Sequence, residues 1–96
     1  MSKYVLLIAF EIDDVNLEPE LIIAIQNLKD ADWLYVMKNL MIVETSTDIK
    51  ETRKILNRHL GELDNLLILD TKTRDYSCKF FRKEGIKKDC LQKLLK

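Results

Sequence analysis

Basic side chains are concentrated at the C-terminal end of this sequence. Residues 71–96 hold nine basic and three acidic residues, whereas residues 1–70 hold seven basic and thirteen acidic ones. A basic segment can contact the phosphates of a nucleic acid, or it can pack on an acidic surface of its own chain or of a second subunit. Both alternatives stay open. The candidate nucleic-acid-binding residues are Lys72, Arg74, Lys79, Arg82 and Lys83.

Other chemically useful side chains are few. Cys78 and Cys90 are twelve positions apart, which matches no common metal-ligand spacing, and we expect two partly buried thiols in a reducing compartment. The single histidine, His59, lies in a segment predicted to be helical, where a structural or surface role is expected. The sequence contains no P-loop and no G-x-S-x-G motif.

Composition predicts one soluble domain. The 96 residues are 47% hydrophobic and 33% charged, with no net charge. The longest apolar run, Val5–Phe10, is far shorter than the about 20 residues that span a membrane. No secretory signal is evident, so a cytoplasmic protein without membrane contact is expected. We interpret residues 1–96 as a single domain in which 71–96 form a basic C-terminal extension.

The first part of the chain predicts a buried strand followed by a helix. Tyr4–Ile12 is almost wholly apolar, as in a strand covered on both faces. A polar loop follows at Asp13–Asn16. The helix is predicted to begin at Pro19, because the first helical position tolerates the missing N–H, and to end near Ala31.

A hairpin is predicted next. Trp33–Met37 and Leu40–Thr45 are rich in strand-forming residues, and Lys38–Asn39 between them suits a tight turn. Trp33 is expected to cover the core beside this hairpin.

A second helix and a fourth strand complete the pattern. The helix is predicted to begin at Thr47 or Asp48, since Glu51 completes a capping box, and to end where Gly61 provides a left-handed C-cap. Asn65–Asp70 is the next strand. The order is βαββαβ, which predicts an α+β, ferredoxin-like fold: an antiparallel sheet with two helices on one face.

The C-terminal extension adds two elements to this prediction. Tyr76–Phe81 alternates in polarity like an edge strand. Ile86–Leu95 is predicted to be an amphipathic helix that packs on its own domain or on a sister subunit. Its apolar side carries Ile86, Cys90, Leu91, Leu94 and Leu95.

Several stretches carry a family resemblance over residues 3–70. They are YVLLIAFEI (4–12), ELIIAIQNL (20–28), WLYVMKNLMIVET (33–45) and DNLLILD (64–70). Together they resemble the small SinR-like proteins, which are similar to the CRISPR-associated protein two superfamily. The resemblance implies a homodimer in which acidic residues of the first strand face each other and, in nuclease members, hold a divalent metal such as Mg²⁺.

The family's Tyr-Asp position falls on Phe10-Glu11 here. By resemblance, Glu11 and Asp13 are the candidate catalytic residues, and Glu11, Asp13 and Asp14 are the candidate metal ligands. A metal held there would activate water and stabilise phosphoryl charge. Glutamate in place of aspartate favours a form that does not cleave.

Two functions are therefore expected. The first is a dimeric nucleic-acid scaffold or weak metal-dependent endonuclease. The alternative is a non-catalytic protein-interaction module, such as an accessory or inhibitor protein of a mobile element. An RNA-recognition motif, which has the same order of elements, is less favoured, because Leu40–Thr45 lacks the aromatic residues of such a motif.

Overall fold

The computed structural model describes residues 3–79, which form an α+β structure of five strands and two helices. The element bounds are β1 (Tyr4–Glu11), α1 (Glu18–Gln26), β2 (Asp32–Met37), β3 (Leu40–Thr45), α2 (Ile49–Asn57), β4 (Asn65–Asp70) and β5 (Tyr76–Lys79).

The strands form one sheet in the order β2-β3-β1-β4-β5, and every neighbouring pair is antiparallel. The apolar strand β1 therefore lies at the centre, where it has hydrogen-bonded neighbours on both sides. β2 and β5 form the two edges. This confirms the α+β class and the antiparallel sheet, and it is compatible with a ferredoxin-like fold.

One face of the sheet packs against both helices. Alternate strand residues point to this inner face, and they join Leu21, Ile25 and Leu56 of the helices in a single buried cluster. The strand members of the cluster are Leu6, Ile8, Phe10, Met41, Val43, Leu66 and Ile68. At about 25 cal/mol per Å² of apolar surface, this cluster is the main source of folding free energy.

The opposite side of the sheet is also apolar. We call it the outer face and define it by Leu7, Ala9, Ile42, Leu67 and Leu69. Cross-strand register confirms that these residues share one side, because Leu7 pairs with both Ile42 and Leu69, and Ala9 pairs with Leu67. Each of them is half-buried.

Helix α1 is shorter than predicted. It begins at Glu18 with Pro19 in the second position, and it ends at Gln26 instead of continuing to Ala31. The helix closes with an i−3 bond from the Leu28 N–H to the Ile25 carbonyl. Beyond it, Asp30 takes a left-handed conformation (φ 54°), and the Lys29 carbonyl accepts a hydrogen bond from Thr45 Oγ1 at 2.6 Å. A tertiary contact to β3 thus replaces the last predicted turn.

Helix α2 begins as predicted and ends early. The Asp48 carboxylate accepts a hydrogen bond from the Glu51 N–H at 2.8 Å, which satisfies an N-terminal donor. The helix ends at Asn57, so His59 follows it and does not lie inside it. The predicted left-handed Gly61 cap is wrong: Gly61 has no positive φ, and the N–H groups of His59 and Leu60 close the end with i−3 bonds.

Strand β5 begins at Tyr76 as predicted and is anchored by α2. Arg53 donates hydrogen bonds to Ser77 Oγ at 3.0 Å and to the Cys78 carbonyl at 2.8 Å. The rest of the predicted strand, the predicted helix Ile86–Leu95 and Cys90 lie outside the described residues. Within residues 3–79, neither nine-residue helix is long and apolar enough to cross a membrane.

Candidate functional site

Glu11 is the last residue of β1 and lies at the rim of the outer face. It pairs in register with Asn65 at the start of β4. The Asn65 side-chain amide donates a hydrogen bond to Glu11 Oε1 at 2.7 Å, in an exposed position. The carboxylate is thus oriented by an amide neighbour and stays accessible to solvent.

A shallow cavity of about 330 Å³ adjoins this pair. Its wall is largely apolar, with Phe10 and Leu67 among the lining residues, while Glu11, Asn39 and Asn65 supply polar groups at its margin. Such a combination can hold a small apolar group with one polar end. Glu11 is the one carboxylate among the residues that line this cavity.

Asp13 and Asp14 lie elsewhere. Both line a second cavity of about 230 Å³ between the β1–α1 loop and the α2–β4 loop. Asp14 uses a carboxylate oxygen to accept the Asn16 N–H at 3.0 Å, a local turn contact. Glu11 lines the first cavity and not this one, so the three predicted carboxylates are divided between two cavities.

The predicted Mg²⁺ ligands therefore do not assemble within one chain. Among residues 3–79, no group of three His, Cys, Asp or Glu side chains is placed to hold a metal ion. The metal and the catalytic roles of Glu11 and Asp13 remain predictions from the resemblance.

Asp64 fixes the loop that carries Asp13, a role that sequence reasoning missed. Its carboxylate is 4% exposed and accepts the Asp13 N–H at 2.8 Å and the Gly61 N–H at 2.6 Å. The Gly61 bond is local, because its donor and acceptor are three residues apart. The contact with Asp13 joins residues 51 positions apart and requires the tertiary structure.

The predicted basic residues differ in what they contact. Lys72 and Arg74 are exposed in the β4–β5 turn, where the Lys72 ammonium donates to the Lys3 carbonyl at 3.3 Å. The Lys79 side chain makes hydrogen bonds within the domain: its ammonium donates to the carbonyls of Asp64 at 2.8 Å and Glu62 at 3.2 Å. Arg82 and Lys83 lie outside the described residues.

The β2 edge is the feature that the sequence prediction misjudged most. Trp33 was expected to cover the core, yet it is 47% exposed, and Leu34 and Met37 are 62% and 60% exposed. Tyr35 and Val36 are exposed as well. Among residues 3–79, β2 pairs with β3 alone, and neither helix packs closely against it. We call Trp33–Met37 the β2 edge.

The comparisons with known proteins give no relative from which a role could be transferred. No protein-family model, no curated protein and no solved structure matches this chain. The functional argument therefore rests on the geometry above.

Proposed function

We propose that this protein is a non-catalytic protein-interaction module that binds through the β2 edge. The observation that carries the proposal is the run of five exposed, mostly large apolar side chains, Trp33–Met37, on a strand with one unpaired side. An edge of this kind is a template for another strand, because its unpaired N–H and C=O groups accept a new ladder. Apolar side chains then add burial to the main-chain bonds.

A second copy of the chain is the partner that we propose. If two β2 strands pair antiparallel about a two-fold axis through Tyr35, the acidic start of β2 at Asp32 in one copy lies at the same end as the turn residue Lys38 of the other. This places opposite charges at both ends of the proposed strand pair. A self-complementary, two-fold arrangement is the commonest form of homodimer.

This dimer would separate the two candidate metal sites. The path from β1 of one copy to β1 of the other crosses five strand spacings, because β3 and β2 intervene on each side. At about 4.8 Å per spacing the two strands lie about 24 Å apart. Two Glu11 carboxylates at that distance cannot share a metal ion. The β2 dimer is thus an alternative to the metal-bridged dimer that the resemblance implies.

The fold that we propose for this module is ferredoxin-like, with β5 added beside β4. The described order βαββαβ and the sheet order β2-β3-β1-β4 support it. In this arrangement the β2–β3 hairpin projects at one edge while both helices cover the inner face. The hairpin can therefore bind a partner without rearrangement of the core.

The test is the mass of the full chain as a function of concentration, measured by sedimentation, for the native protein and for Leu34→Lys. Leu34 is 62% exposed, and full burial of a leucine contributes about 1.5–3 kcal/mol. Burying its exposed part in both copies contributes about 2–4 kcal/mol, so the substitution should weaken dimerisation about 30- to 700-fold.

Val15→Lys is the matched control. Val15 is 68% exposed in the β1–α1 loop, so the same charge is added at an apolar residue away from the β2 edge. We expect it to dimerise like the native chain. A native protein that stays monomeric at high micromolar concentration, or a Leu34→Lys variant as dimeric as Val15→Lys, would rule out the β2 dimer.

Nucleic-acid binding is the second candidate function. The observation that favours it is the exposed pair Lys72 and Arg74 in one turn, with Lys72 against the Lys3 backbone. If these side chains contact phosphates, retention on DNA or heparin should fall steeply with salt and should weaken when both are changed to alanine. Lys79 is left intact in this test, because it anchors β5.

The nuclease form of that candidate has a separate test. Labelled DNA and RNA are incubated with the native chain and with Glu11→Ala and Asp13→Ala, in Mg²⁺, in Mn²⁺ and in EDTA. Cleavage that requires both a metal and either carboxylate would support the enzyme. Retention without cleavage would support a scaffold.

A further inference from the structure

We infer that the outer face of the sheet is covered by the chain's own C-terminal segment, residues 80–96, so that the sheet has helical layers on both sides. Leu34 of the β2 edge pairs with Ile42 and adjoins the outer face, but the outer face is defined by residues of β1, β3 and β4, so this inference does not depend on the β2 dimer. The outer face consists of Leu7, Ala9, Ile42, Leu67 and Leu69, and both described helices pack on the inner face instead.

Cys78 extends the outer face onto β5. The Arg53 guanidinium, on α2, donates to Ser77 Oγ, so Ser77 points to the inner face and the next side chain, Cys78, points to the outer face beside Leu67. The apolar outer face therefore reaches the strand from which the C-terminal segment continues.

The length and starting point of the segment fit this position. It leaves β5 at Lys79, at the edge where Cys78 lies, and it has 17 residues. Six residues before the predicted helix can span up to about 20 Å, and a ten-residue helix is about 15 Å long. Crossing from β5 to β3 takes three strand spacings, about 14 Å.

Polarity and charge also match. The spacing of Ile86, Leu91 and Leu94 predicts an apolar stripe on this helix. The segment holds six basic and two acidic residues, whereas residues 3–79 hold ten basic and fourteen acidic ones. Two of the acidic residues, Glu11 and Glu44, lie at the margin of the outer face. A basic amphipathic helix is therefore complementary to this surface.

The test is a methyl nuclear Overhauser measurement on the full-length native chain. Contacts are expected between methyl groups of Leu7, Ile42 or Leu69 and those of Ile86, Leu91 or Leu94. An isotope-filtered experiment on a mixture of labelled and unlabelled chains separates contacts within a chain from contacts between chains. Contacts within one chain support the inference. Contacts only between chains would assign the face to a second copy, and no contacts at all would leave it uncovered; either result overturns the inference.

A pair of matched substitutions gives an independent measurement. Leu94→Asp places a carboxylate in the predicted apolar contact, and Gln92→Asp adds the same group on the predicted polar side. We expect Leu94→Asp to raise the equilibrium constant of unfolding in urea roughly tenfold or more, whereas Gln92→Asp changes it less than about threefold. Equal effects of the two substitutions would contradict a packed apolar stripe.

Discussion

Removing the Asp64 carboxylate should destabilise this protein far more than removing any exposed carboxylate near it. Asp64 is 4% exposed and accepts two backbone N–H groups, from Asp13 at 2.8 Å and from Gly61 at 2.6 Å. Leaving a buried donor without its acceptor costs about 1–3 kcal/mol. Both bonds are only part-buried, so each donor is assigned the lower part of this range, about 1–2 kcal/mol, and Asp64→Ala has an expected loss of about 2–4 kcal/mol in the free energy of unfolding.

Two variants separate the acceptor from its surroundings. Asp64→Asn keeps the shape and one acceptor oxygen, so we expect about half of the alanine effect. Glu62→Ala removes an exposed carboxylate from the same loop, where the Glu62 contact to Lys79 uses the backbone carbonyl, and we expect less than about 0.5 kcal/mol.

The assay is urea unfolding followed by far-ultraviolet circular dichroism, because Trp33 is exposed on β2 and its fluorescence reports weakly on the core. Thermal unfolding of Asp64→Ala should show a midpoint lower by roughly 8–32 °C, at about 4–8 °C per kcal/mol for a domain of this size. Hydrogen exchange of the Asp13 and Gly61 amides should accelerate in the same variant. An Asp64→Ala protein as stable as Glu62→Ala, with both amides still protected, would refute the reasoning.

Two further stability changes follow from single anchoring contacts. Arg53→Ala removes the side chain that donates to Ser77 Oγ and to the Cys78 carbonyl. It should lower the free energy of unfolding in urea by about 1–3 kcal/mol and increase amide exchange in β5. Unchanged exchange in β5 would show that this strand is held by other contacts. Asp48→Ala removes the acceptor for the Glu51 N–H at the start of α2 and should cost about 1 kcal/mol, measured in the same way, with Asp48→Asn close to the native value because asparagine is an equally good cap. A loss for Asp48→Asn as large as that for alanine would contradict the capping role.

Local signals predicted the elements well where one physical cue dominated. The continuous apolar run of β1 predicted a central strand covered on both faces; β1 is the central strand of the sheet, with one face buried and the other half-buried. Asp48 with Glu51 three residues later predicted the start of α2, and the structure contains that hydrogen bond. The turn at Lys38–Asn39 likewise joins β2 and β3 as predicted.

Helix ends were predicted less well, because long-range contacts compete with local propensity there. After α1, the residues predicted to form its last turn are instead joined to β3, where the Thr45 hydroxyl donates to the Lys29 carbonyl. Nothing near Lys29 in the sequence indicates that partner. The end of α2 depends on i−3 bonds, so no left-handed Gly61 is needed.

The candidate site shows the same division between sequence and tertiary structure. The family resemblance singled out Glu11, Asp13 and Asp14, three carboxylates near the end of β1. Their closeness along the chain does not fix the directions of side chains beyond the end of the strand. Glu11 retains the alternation of β1 and adjoins Asn65, whereas the Asp64 carboxylate holds the Asp13 backbone and directs this loop to another cavity.

Sequence determined which residues are apolar, and the order of strands decided which of them are covered. The hydropathy of a run such as Trp33–Met37 is the same in a central strand and in an edge strand, because it does not indicate which other strands lie beside it. Only the sheet order β2-β3-β1-β4-β5 places β1 inside and β2 at the margin. The apolar side chains of β1 are therefore buried or half-buried, while those of β2 remain exposed and define the surface that we propose for binding.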